Sequence, residues 1–76
     1  MLGERLKIYC DYSGITGYRL AKTLGISTQS VSVFFQGKSS PSVATLEKIL
    51  DTYPDLNANW LLTGRGEMLI KVAAGS

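Results

Sequence analysis

Between Thr16 and Lys38 apolar residues recur at helical spacing in two short blocks separated by one glycine. Leu20, Ala21 and Leu24 make the first stripe, and Val31 with Phe34 makes the second, at the three- and four-residue intervals of an amphipathic helix. Gly25 follows the last periodic residue of the first block, where a left-handed residue ends a helix and turns the chain. Ile26 is expected to plug the corner. Ser27 is a good N-cap for the second block, since its hydroxyl can accept from an orphan amide, and Gly37 should end that helix after residues 28–36.

The flanking segments have the same periodicity. Leu2, Leu6, Tyr9 and Cys10 predict a first helix from Leu2 to about Ser13, with Glu4, Arg5 and Lys7 off the stripe. Ile15 should turn inward, and Thr16 sits where an N-cap for the second helix belongs. Ser42 to Thr52 reads as a fourth helix with Val43, Leu46, Ile49 and Leu50 inward. It is broken at Tyr53-Pro54-Asp55, because proline disfavours helical geometry in the residue before it. Asn57 caps a short fifth helix, Ala58 to Thr63, whose Trp60 and Leu61 should close the open end of the core before Gly64 stops it. Met68-Leu69-Ile70 is an apolar run able to cover the first helix. The pattern predicts an all-α chain of five helices, with residues 1–70 as one domain and 71–76 as a flexible tail or linker.

The outer surface of the third helix carries the functional information. With Val31 at the centre of the buried side and about 100° per residue, Ser27, Phe34, Phe35 and Lys38 share its half. Gln29, Ser32, Val33 and Gln36 lie opposite. A solvated helix surface normally favours Glu and Lys; this one is small, polar and uncharged. It suits a DNA groove, where Gln can pair with adenine N6 and N7, hydroxyls give or accept, and a Val methyl meets the thymine methyl.

Leu20-Ala21, Gly25-Ile26, Gln29-Ser30-Val31-Ser32, Gly37-Lys38 and Pro41, followed by Asn59-Trp60-Leu61-Leu62-Thr63-Gly64, resemble the Cro/phage-repressor (XRE) family. The resemblance extends from Leu2 to about Leu69. It implies a compact five-helix, lambda-repressor-like fold with the helix-turn-helix at helices 2 and 3, binding double-stranded DNA as a homodimer and regulating transcription as a repressor. Thr28, Gln29, Ser32, Val33 and Gln36 would then contact bases. Thr16, Gly17, Lys38, Ser39 and Ser40 would hold phosphates. Two positions depart from the family pattern. Gly17 stands where many relatives have a phosphate-clamping Gln, and Phe35 stands where they often have a carboxylate, with Cys10 at the position of its cationic partner.

Composition narrows the alternatives. At 76 residues the chain makes one domain with a small core. A single cysteine and no histidine exclude an internal disulfide and make a zinc site not credible, so a reducing cytoplasm is the simplest setting. The first ten residues are interrupted by charges and form neither a signal peptide nor a membrane span. No nucleophile stands beside a base and no glycine loop cradles phosphate, which argues against an enzyme; neither a cofactor nor a small-molecule ligand is indicated. The net charge of +2 is mild for a nucleic-acid binder, so affinity should depend on base contacts, backbone amides and a second subunit. It also leaves open an adaptor or antitoxin-like interaction module. Three side chains carry two readings each: Cys10 as core or redox sensor, Phe35 as core or partner patch, Trp60 as core or base-stacking ring.

Overall fold

A computed structural model describes residues 2–70. Five helices follow in order: α1 Leu2–Ser13, α2 Gly17–Leu24, α3 Thr28–Phe35, α4 Val43–Thr52 and α5 Ala58–Thr63. Each boundary after α1 is set by local chemistry. Thr16, Ser27 and Ser42 are extended and accept from the amides of Arg19, Ser30 and Thr45, three residues on. Asn57 accepts from Asn59 N and uses its side-chain nitrogen to reach the Glu67 carbonyl. Gly25, at φ 71°, lets Ile26 N donate back to the Ala21 carbonyl and Gly25 N to that of Lys22. The same paired bonds run from Lys38 N to Val33 O and from Gly37 N to Phe34 O around Gly37, a left-handed stop that satisfies carbonyls otherwise orphaned. Helix α3 ends one residue short of expectation, with Gln36 as its cap.

Leu6, Tyr9, Cys10, Leu20, Ala21, Leu24, Val31, Ile49, Leu56 and Leu61 form the core. Leu2, Ile15, Ile26, Phe35, Leu46, Leu50, Tyr53, Trp60, Met68 and Leu69 pack around it half-buried. Helix α1 lies against both α3 and α5, while α2 packs on α3 and α4. Arg5 ties α1 to α5, its Nε donating to the Leu61 carbonyl at 2.8 Å and a terminal nitrogen to that of Leu62; a cation at a helix C-terminus also meets the negative end of the dipole. Tyr9 is buried, edge-on to Tyr53, and donates to Asp55 Oδ1 at 2.7 Å. Burial, reinforced by the Asp55 carboxylate, pushes its phenol up to about 12.

Three apolar expectations change. Val43 is 73% exposed: as the first residue of α4 it lies at the edge of the Leu46–Ile49 stripe, where no neighbour reaches it. Ile70 is exposed; its amide, not its side chain, is engaged, with the Asp55 carbonyl. Phe34 is half-buried but outside the core cluster. Conversely, Leu56 is buried, in a stretch without periodicity, because an isolated antiparallel bridge with Leu69 folds the chain end over it. Residues 71–76, read from the sequence as a tail, lie outside the described residues.

Candidate nucleic-acid interface

Helix α3 is fastened along one side and free along the other. Val31 is buried and Phe35 packs against the core, so the partner-patch reading of Phe35 gives way to core packing. Thr28, Gln29, Ser32 and Gln36 are exposed and Val33 is half-buried. The four polar side chains stay open to solvent, while Val33 sits in a recess with Phe34 and Ser39. Eight residues span about 12 Å, comparable to the width of the DNA major groove.

The residues predicted to hold phosphate fall into two groups. Thr16 and Gly17 lie at the start of α2 and share with Thr28 and Ser32 a cleft of about 310 Å³ that Lys7 and Phe35 also line. The Thr16 hydroxyl is engaged by Arg19 N at 3.1 Å, which leaves the Gly17 and Tyr18 amides outside the helical ladder, the arrangement that favours anions. A side chain at Gly17 would start toward Val31 Cγ1 and the Phe35 ring, at 3.7 and 3.9 Å. Lys38, Ser39 and Ser40 form the other group, exposed in the loop after α3. Ser39 lines a recess of about 290 Å³ with Gln29, Val33 and Phe34. Seven of the ten expected site residues line these two recesses, Thr16, Gly17, Thr28 and Ser32 in the first and Gln29, Val33 and Ser39 in the second; Gln36, Lys38 and Ser40 line neither and are exposed.

Electrostatics add a signal that net charge conceals. Between Asp11 and Glu47 the chain carries three cations, Arg19, Lys22 and Lys38, and no carboxylate. The acidic residues sit on α1, on α4 and beyond. Asp11 is the one acidic residue lining the cleft, and it is paired with Lys7 at 3.0 Å.

Two alternative readings fail on burial. Cys10 is 1% exposed, and burial pushes its thiol up to about 11, the opposite of what a redox-active thiolate needs. Trp60 packs against the core. Among the described residues no group of three or more His, Cys, Asp or Glu could hold a metal ion, and no helix is long and apolar enough to cross a membrane.

Comparison with known proteins bears on the family and the fold. Residues 6–61 match the helix-turn-helix family model. Over 67 residues the chain is 39% identical to the HTH-type transcriptional regulators for conjugative element R391 from Providencia rettgeri and for conjugative element SXT from Vibrio cholerae. The match covers 88% of this chain but 30% of each regulator, so the chain spans about a third of the length of the curated relatives it matches. No solved structure matches. With five helices in the family's order, a glycine-turned α2–α3 pair and a family match over most of its length, the chain belongs to the XRE-type helix-turn-helix family.

Proposed function

We propose that this chain is the sequence-reading DNA-binding domain of a transcriptional regulator, acting as a repressor by occluding a promoter in a reducing cytoplasm. The reading rests on one observation above the others: an exposed, uncharged surface of α3 bearing Gln29, Ser32 and Gln36, fixed from behind by the buried Val31. Thr28, Gln29, Ser32, Val33 and Gln36 would face the base edges, and Thr16, Gly17, Lys38, Ser39 and Ser40 would hold the backbone. Two copies related by a two-fold axis would place their α3 helices about 34 Å apart, one turn of duplex. Of the two features behind the adaptor reading, the mild net charge and Phe35, the second is weakened, since Phe35 packs against the core.

Fluorescence anisotropy with a cognate and a scrambled duplex tests the assignment. Gln29→Ala should lose roughly 1–3 kcal/mol on the cognate alone, whereas Lys38→Ala should weaken both duplexes alike. With three cations in the helix-turn-helix segment, the slope of log K against log salt should be no steeper than about −3 per copy. Equal losses on both duplexes for Gln29→Ala, or affinity indifferent to salt, contradict the proposal.

A further inference from the structure

Two residues on the outer surface of α3 are bonded to each other. Gln36 Nε2 donates to Ser32 Oγ at 3.1 Å, one helical turn back. Their positions around the helix differ. Measured from the buried Val31, Gln29 and Val33 lie about 160° away and Gln36 about 140°, whereas Ser32 lies only about 100° away, on the flank that borders the cleft with Thr16 and Gly17. Ser32 is thus beside the crest and holds a residue that stands on it.

We propose that Ser32 is a positioning residue for Gln36 rather than a reader of its own base. Its hydroxyl oxygen takes one amide N–H of Gln36 and so fixes which way the carboxamide faces. The second N–H and Oε1 are left as one donor and one acceptor. An untied carboxamide rotates and exchanges its two ends with little penalty; the tie to Ser32 removes that freedom before DNA arrives. The remaining pair complements adenine, whose major-groove edge offers an N7 acceptor and an N6 donor. Ordering a long side chain in advance saves the entropy that binding would otherwise cost, roughly a 2- to 10-fold gain.

The inference rests on the base-reading role of α3, and its test separates the two. A site selected from random duplexes is remade with each of the four base pairs at every position and titrated with the unsubstituted domain, Ser32→Ala, Ser32→Thr, Gln36→Ala and the Ser32→Ala/Gln36→Ala double variant. Gln36→Ala should flatten preference at one base pair. Ser32→Ala should lower the adenine preference at that same pair by roughly 2- to 10-fold; Ser32→Thr, which keeps the hydroxyl, should retain it, and the double variant should match Gln36→Ala. Without DNA, Ser32→Ala should shift the side-chain amide resonances of Gln36. The inference is overturned if Ser32→Ala flattens a pair that Gln36→Ala leaves intact, if it leaves the Gln36 pair unchanged, or if those resonances do not move. An unsubstituted domain with no preference at any position overturns the base-reading role itself, and the inference with it.

Discussion

Replacing Gly3 by alanine separates what local propensity predicts from what packing predicts. Gly3 is buried near the start of α1. A Cβ there would fall inside the carbonyl oxygen of Phe34 and 2.6 Å from its carbon. Both are backbone atoms at the end of α3, so no rotamer change relieves the clash and the two helices must separate. Helix propensity argues the other way, since Ala gains up to about 1 kcal/mol over Gly in a helix. Overpacking a core typically costs 1–3 kcal/mol, occasionally more, and a rigid backbone partner puts this case at the upper end. The net expectation is a loss of about 2 kcal/mol. A domain of this length has roughly 4–11 kcal/mol in total, so Tm should fall by about 8–16 °C. Urea titration followed by the single Trp60, with a thermal melt by circular dichroism, reads both quantities. A Gly3→Ala variant that melts at or above the parent refutes the close α1–α3 approach.

Other outcomes follow from the same packing. The Tyr9 and Cys10 acids are both raised, to about 12 and about 11, so the native state keeps protons that the unfolded chain releases. Their contribution, on the order of 1–3 kcal/mol each, is present below pH 9 and lost as pH climbs through 11 and 12; urea midpoints should therefore fall steeply on the alkaline side, and flat midpoints from pH 8 to 12 would contradict this. Tyr9→Phe removes the bond to Asp55 and should cost about 1–2 kcal/mol in a urea titration. Val43→Ser should change stability by less than about 0.5 kcal/mol, whereas Ile49→Ala, at 0% exposure, should cost about 3 kcal/mol. Native Cys10 should react with an aromatic disulfide reagent only as fast as the domain opens.

What the sequence reveals divides along the distance over which each residue's role is decided. Caps at Thr16, Ser27, Ser42 and Asn57 act within three residues, and the α2–α3 turn depends on Gly25 itself, so the element order is legible. Helical periodicity likewise places Leu6, Leu20, Val31 and Ile49 in the core. It fails at Val43, because a stripe does not show where its neighbour ends. Leu56 carries no pattern of its own, since its cover comes from Leu69. Gly3 and Arg5 are decided by the Phe34, Leu61 and Leu62 carbonyls, all far along the chain. The exposed side of α3 is legible from the helical wheel. The charge segregation behind it is hidden when acids and bases are counted over the whole chain, although their positions are plain in the sequence.

The central claim is that the outer surface of α3 reads base edges, and selection of bound sites from random duplexes tests it most directly when run in parallel with Gln29→Ala. The account predicts an enriched, two-fold symmetric motif in which Gln29→Ala erases preference at one base pair of each half-site and leaves the others. A flat profile from the unsubstituted domain, or a motif that Gln29→Ala leaves intact, would contradict it.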